Sequence, residues 1–362
     1  MVKRSNRTYQ VMRFKIYIPF TLSVLSIFSF RTTLFSSDPI PIKVVVVALY
    51  EIGEHKGDVP GEYQFWVERE HLDKIHSFPF GPHDLRTNDR GLMGVCTGPG
   101  VTNSAMVITA LGMDSRFDLR NSYWIISGIA GVDPADGSIG SAAWANWVIE
   151  GDLSKAIDSR EAPEDWPYGI FPTNSKRPNQ IGQGFSYKNM AFRLNPALVN
   201  WAYELSKTVK LMDHPEVVEF RKLYKEFPNA QKPPFVMKGD SLGSNTYWHG
   251  TILNKWANDW TRLYTNGQGN FVMTNMEDNG IVRALHRLTK VGKVDFERVL
   301  VLRSGSNYSA QPPDETAKWS LTAPYPAKGI TAKESCYRVA RPVVHALIEG
   351  WENYKEITPG HE

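Results

Sequence analysis

Residues 91–113 read GLMGVCTGPGVTNSAMVITALGM, and how this stretch divides decides the fold. It reads as a strand through Leu92–Cys96, a glycine-rich turn, and then a helix with apolar residues at helical spacing. The same cadence recurs on both sides. IKVVVVALYE (42–51) is an unbroken β-branched run, the signature of a strand buried on both faces. SYWIISGIAGVDPADGSIGSAAWANWVIE (122–150) gives a strand, a glycine loop and a second strand entering from Ile139. FVMKGDSLG (235–243), FVMTNMEDNG (271–280) and VLVLRSGSNYS (299–309) resume the pattern, and TAKESCYRVARPVVHALIEGW closes it with a helix. Strands alternating with helices predict an α/β fold of three layers, a central twisted mixed sheet flanked by helices. Residues 151–235, richer in Pro, Asn and aromatic residues, read as an insertion at one edge of that sheet and over its pocket. A single domain is expected over 38–362.

Composition narrows the function. The 11 Trp and 15 Tyr among 362 residues suggest aromatic-lined surfaces or pockets. A net charge of +3 with no dense basic stripe argues against nucleic acid. Cys96 and Cys336 sit in apolar contexts without CxxC spacing, and His71 and His76 have no third candidate ligand nearby, so no metal is expected. The N-terminus differs in kind. Lys3, Arg4, Arg7, Arg13 and Lys15 precede IYIPFTLSVLSIFSF, with Ser36 and Ser37 after it, which is the layout of a secretory signal. Residues 1–37 are therefore expected to direct export to the periplasm or outside, with cleavage near Ser37; the alternative is an uncleaved membrane anchor.

In open α/β sheets ligands bind beyond the carboxyl ends of strands, and each glycine turn above falls at such an end. In CTGPGVTNSA, Gly98 and Gly100 let the backbone approach a ligand, and the following helix offers free N–H groups to an anion. A tight strand-to-helix turn also needs glycine by itself. In SGIAGVDP, Ser127, Gly128, Gly131 and Asp133 make a second such loop, or a plain turn between strands. TNMEDNG (274–280) puts two carboxylates at a strand-to-helix corner. Asn275 as N-cap, with Glu277 and Asp278 in the first turn, would simply cap the helix; a ligand-binding role is the other reading.

Taken together and in order, CTGPGVTNSA, SGIAGVDPADGSIGS, MKGDSLG, TNMEDNG and LRSGSNYSA resemble the signatures of the nucleoside phosphorylase/nucleosidase superfamily. GEYQFWVERE, GIAGVDPADGSIGSAAWANWVIEGDL, FRLNPALVNWAY, NTYWHG, WANDW and SNYSAQPP resemble, more closely, the purine nucleoside permease family. That resemblance implies a site for purine nucleosides or purine bases. It would place Met276 on the ribose and Glu277 on its 2′- and 3′-hydroxyls, and leave Asp278 as a cap. Asn307 would stand on the purine, at a position often held by an acid. An amide cannot transfer a proton at neutral pH, but it can hydrogen-bond the base and stabilise its charge. Ser241 and Leu242 would lie against the base, Tyr247 and Trp248 could stack on it, and Trp166 and Tyr168 could close over it. The superfamily also implies a homo-oligomer.

The reaction is read from residue types. Phosphorolysis needs inorganic phosphate as co-substrate and a cationic grip, with Arg86, Arg90 and Arg303 as candidates. Hydrolysis needs a carboxylate after the first strand to activate water, where Glu51 and Glu54 stand, and this reading is favoured. No other cofactor is expected. The alternative is a non-catalytic binding component that supports nucleoside uptake, with membrane contact only through the N-terminal segment.

Overall fold

The computed structural model describes residues 38–177, 179–182 and 190–361, and the export signal expected in 1–37 lies outside them. In chain order the strands begin with β1 (Ile40–Pro41), β2 (Val44–Ala48), β3 (Lys74–His76), β4 (Leu85–Thr87) and β5 (Leu92–Cys96). Next come β6 (Phe117–Asp118), β7 (Tyr123–Val132), β8 (Ala142–Trp144), β9 (Trp147–Glu150), β10 (Ser154–Ala156) and β11 (Ile170–Pro172). The last are β12 (Ala191–Arg193), β13 (Val236–Lys238), β14 (Asp240–Gly243), β15 (Phe271–Asn275) and β16 (Val299–Tyr308). The helices are α1 (Gln64–Arg69), α2 (Val101–Met113), α3 (Pro196–Ser206), α4 (Pro215–Arg221), α5 (Thr251–Tyr264), α6 (Asp278–Lys290), α7 (Ala317–Thr322), α8 (Ile330–Glu349) and α9 (Trp351–Tyr354).

The main sheet runs β12-β9-β14-β15-β7-β2-β5-β4-β3, with β16 on β7 and β8, and β13 on β8. It is mixed. β2 is parallel to β5 and β7, β16 is parallel to β7, and β15 is antiparallel to β7. The long strand β7 organises the whole. Its first half (Tyr123–Ile126) pairs with β2, its last residues (Gly131, Val132) pair with β15, and β16 follows it along its length. Between those two partnerships β2 and β15 part company. That opens a crevice at a point where the sheet changes neighbours, the place where open α/β sheets hold ligands.

The helices cover the sheet for legible reasons. Val44 to Val47 are fully buried, as an unbroken β-branched run on a central strand should be. In α6, Ile281, Val282, Leu285 and Leu288 recur at helical spacing and are buried, on the helix that packs against α2. That packing is close. A Cβ at Gly280 would stand 2.4 Å from the Val101 carbonyl oxygen, so only glycine lets the two helix starts meet. Their junction carries the site.

Residues 39–362 form one compact unit. Within 151–235, β12 adds to the outer edge of the sheet beside β9, and β10 pairs with β11 as a separate hairpin. No helix among the described residues is long and apolar enough to cross a membrane.

Candidate functional site

The crevice between β2 and β15 is a cavity of about 180 Å³. Its walls are Leu49 and Tyr50 beyond β2, Pro99 beyond β5, Ile129–Gly131 of β7, Thr274–Glu277 at the β15 corner, and Arg303, Ser306 and Asn307 of β16. Glu62, Tyr247 and Tyr325 complete it. Larger grooves of about 430 and 600 Å³ exist elsewhere. The first is lined by ion-paired groups such as Lys74–Asp89 and Arg341–Glu70.

Arg303 is the electrostatic centre. It is buried on β16, and its guanidinium grips Asp278 from Nε at 3.0 Å and Nη2 at 2.5 Å. Nη2 also reaches Glu277 Oε2 at 3.1 Å, and Nη1 donates to the Ile129 carbonyl at 2.9 Å. Asp278 is fully buried and takes further bonds from the Ser241 hydroxyl at 2.6 Å and the Asn275 amide at 3.0 Å. Burying such a charge is tolerable only when it is paired and hydrogen-bonded, as here. Asp278 is thus a counter-ion to Arg303, and the first-turn capping expected of it is the lesser part. Capping falls instead to Asn275, whose Oδ1 accepts from the N–H groups of Glu277 and Asp278 at 3.1 and 2.9 Å.

Glu277 faces the cavity. Its Oε2 is held by Arg303 and the Met276 N–H, while Oε1 takes only one long bond, 3.3 Å, from the Gly100 N–H. Open acceptor capacity is therefore left on Oε1 toward the cavity. Burial raises its carboxyl above the ordinary range, against the pull of Arg303. Met276 and Asn307 line the same cavity. Gly98 and Gly100 stand at the turn behind Pro99, and contribute backbone rather than wall.

Several expected residues are elsewhere. Glu51 does not line the cavity; its carboxylate accepts from the backbone N–H groups of Gly61, Tyr63 at 2.9 Å and Gln64 at 2.5 Å, and so caps the start of α1. Glu54 is exposed on the same loop, with its own N–H donating to Asp58. Ser241 is sealed beneath Asp278, and Leu242 is buried in an aromatic cluster with Trp248, Trp256 and Trp260, so neither lies against the cavity. Trp166 and Tyr168 belong to that cluster too, and no described residue of 151–235 lines the cavity. Ser127 is buried on β7 and its hydroxyl donates to the Cys336 carbonyl at 3.2 Å. Gly128 acts by what it lacks: a Cβ there would meet Leu49 at 2.3 Å, Arg303 Nη1 at 2.8 Å and Glu62 Oε1 at 2.9 Å. Among the arginines offered for phosphate, Arg86 is spent on His55 and Arg90 on Glu349, and neither lines the cavity.

The residue that the sequence reading missed is Glu62. It lines the cavity, is 4% exposed, and hangs from two backbone donors, Leu49 N and Ile129 N, each at 2.7 Å. Burial pushes its carboxyl up to about 8, although Arg303 and the two N–H groups pull the other way. The carboxylate that faces the cavity thus stands at the end of the loop after the first strand, and not at its beginning where Glu51 and Glu54 are. The signal was an acid in GEYQFWVERE, immediately ahead of a helix of aromatic residues.

The chain matches the purine nucleoside permease family over residues 41–359. It belongs to that family. A Candida albicans purine nucleoside permease is 32% identical over 296 residues, covering 79% of this chain and 72% of its own. A Schizosaccharomyces pombe relative is 31% identical over 262 residues, covering 70% and 75%. Among solved structures, a Helicobacter pylori 5′-methylthioadenosine/S-adenosylhomocysteine nucleosidase aligns with a TM-score of 0.51 at 12% identity, over 86% of this chain and 99% of that one. A mutant of that enzyme, solved with 5′-methylthioadenosine in its active site, gives 0.51 at 13% identity over 84% and 99%. This chain therefore has the nucleoside phosphorylase/nucleosidase fold, with the three-layer α/β architecture expected from the sequence.

Proposed function

We propose that this member of the family binds a purine nucleoside in the β2–β15 crevice and hydrolyses its N-glycosidic bond. One observation carries the reading: Glu62, a buried carboxyl hung from two backbone N–H groups, stands in the same cavity as Glu277 and Asn307. Glu277 takes the ribose hydroxyls on its open Oε1, and Met276 packs against the sugar. Asn307 hydrogen-bonds the purine. Ionised Glu62 accepts a proton from water as the water oxygen bonds C1′. The C1′–N9 bond breaks with its electron pair passing to the purine, which finally takes the proton.

Hydrolysis is favoured over phosphorolysis by the state of Arg303. It is the single cation among the described lining residues, and its charge already faces two carboxylates. Phosphate would have to displace them. Water is the second reactant, and no cofactor enters. The family's name favours a second reading, nucleoside binding in support of uptake without turnover, by a chain exported through its N-terminal segment.

One experiment separates these. The protein is incubated with adenosine and inosine, with and without phosphate, and free base is measured. Release without phosphate supports the proposal. Release only with phosphate replaces it by phosphorolysis, and tight binding with no release replaces it by a binding role.

A further inference from the structure

The base end of the cavity carries an ordered pattern of donors and acceptors. Asn307 Nδ2 donates to the Tyr308 carbonyl at 2.9 Å and to the Tyr247 hydroxyl at 3.0 Å. A backbone carbonyl can only accept, so the amide is fixed with its nitrogen on that side. Its Oδ1 takes one bond, from the Ser306 hydroxyl at 3.1 Å, and that hydroxyl has the Ala130 carbonyl at 3.2 Å as a second acceptor for its one proton. An acceptor position on Oδ1 therefore stays open. Tyr247 is the complement. Its oxygen accepts from Asn307 and, at 3.1 Å, from the Tyr325 hydroxyl, so both lone pairs are filled. With Tyr325 donating, the proton of Tyr247 has no acceptor among the described residues, on a residue that lines the cavity.

Tyr325 reaches this place on a constrained strap. It follows α7, and beyond Pro326 both Ala327 and Lys328 take left-handed backbone angles (φ 50° and 51°). The Ala327 N–H is tied to Glu216 at 2.8 Å. Two successive non-glycine residues in that region persist only where the surroundings hold them.

One open donor beside one open acceptor fits one kind of purine edge. A 6-aminopurine offers N7 as acceptor and the exocyclic N6 as donor, whereas a 6-oxopurine offers two acceptors, N7 and O6. To meet O6 the Asn307 amide would have to turn and give up the Tyr308 carbonyl. Resting on the nucleoside reading above, we infer that the site selects 6-aminopurines over 6-oxopurines, with Tyr247 donating to N7 and Asn307 Oδ1 accepting from N6.

The test uses free bases, so it needs no turnover. Binding of adenine, hypoxanthine and 7-deazaadenine, which lacks the N7 acceptor, is measured by calorimetry. Adenine should bind about two- to tenfold tighter than either, the net worth of one hydrogen bond at a partly exposed hydroxyl. Tyr247→Phe should bring adenine down to 7-deazaadenine and erase that ratio. Tyr325→Phe, which leaves the Tyr247 proton in place, should retain it. Equal binding of adenine and hypoxanthine, or a ratio that survives Tyr247→Phe, overturns the inference while the nucleoside reading stands. Loss of the ratio in Tyr325→Phe overturns it as well, because the strap and not the Tyr247 donor would then discriminate. If no purine base or nucleoside binds at all, both fall together.

Discussion

Two corners beside the crevice each carry a pair of carboxylates, one of which reaches the cavity, and they place the inward and outward acids in opposite orders. At the β15–α6 corner the first acid, Glu277, faces the cavity and the second, Asp278, turns inward to Arg303. In the loop between β2 and α1 the first acid, Glu51, turns inward to cap α1, and a later one, Glu62, faces the cavity. In both corners one acid builds the frame and the other faces the cavity. The two outward acids differ in surroundings. Glu277 lies against Arg303 within hydrogen-bonding distance, whereas Glu62 hangs from backbone N–H groups and burial pushes its carboxyl up to about 8. A carboxylate held beside a cation suits steady binding of hydroxyls; one poised near neutrality suits moving a proton.

The largest effect that could break this comparison belongs to Glu62. Glu62→Gln should lower kcat by about 10²–10⁴-fold, the usual contribution of a general base, with little change in nucleoside affinity. In the unaltered protein kcat/KM should rise with pH through about 8, as the group ionises. Stability should move the other way. A carboxyl whose folded pKa lies above its ordinary value favours the fold while protonated, and that contribution is lost as pH rises toward 8. Glu62→Gln should therefore melt higher than the parent at pH 8.5 and close to it at pH 4. A variant that is slow but no more stable at high pH would remove Glu62 from the buried, poised role.

Next comes the counter-ion. Arg303→Met leaves Asp278 and Glu277 buried without their cation, and breaking such a pair costs about 3–5 kcal/mol of stability. Thermal or denaturant unfolding reads this directly. A loss below about 1 kcal/mol would mean that Arg303 is not needed to hold the pair, and would free it for phosphate.

How much of this was legible follows from distance along the chain. TNMEDNG could be read because strand end, cap, both acids and helix start are contiguous, so local rules place all of them within one turn. Of the five strands that converge on the crevice, β2, β5 and β15 were legible for the same reason, as apolar runs ending in turns, whereas β7 continues to Val132 through SGIAG, where the glycines suggest a loop. Glu62 was not. It reaches the cavity after a loop that leaves β2 and folds back, and the bonds that return it, to Leu49 and Ile129, join residues 13 and 67 positions away. No periodicity encodes such a return. Glu51 was misread because position after a strand says nothing about which way a side chain turns, and three backbone N–H groups at the start of α1 decided it. Ser241 and Leu242 were misread because β14 lies one strand outside β15, so the wall of the crevice is β15 and not its neighbour. Trp166, Tyr168 and Trp248 looked like pocket aromatics; burial against α5 competed for them and won.

Glu277→Gln should have a middling effect. A carboxylate that accepts two hydroxyl protons becomes an amide with one acceptor, and losing a charged hydrogen bond costs about 1.5–3 kcal/mol. Nucleoside affinity should fall about ten- to a hundredfold, and free purine base should bind unchanged, because the proposed base contacts are Asn307 and Tyr247. Intact nucleoside binding with a lower melting temperature would return this residue to the role of a first-turn charge.

The smallest effects test the inner member of the loop pair. Glu51 accepts from three backbone N–H groups ahead of and within α1, so Glu51→Gln should cost about 0.5–2 kcal/mol of stability, the range of a lost cap. It should slow turnover only as far as the loop loosens, because Glu62 keeps its own backbone donors and its burial. The pH midpoint of kcat/KM should therefore stay near 8. Glu54, exposed and away from the cavity, is the control, and Glu54→Gln should stay within about 0.5 kcal/mol of the parent. The pair of variants discriminates cleanly. If Glu51→Gln abolished turnover at unchanged stability, or moved the pH midpoint, Glu51 would be the water-activating acid that its place after the first strand suggests, and Glu62 would be the frame.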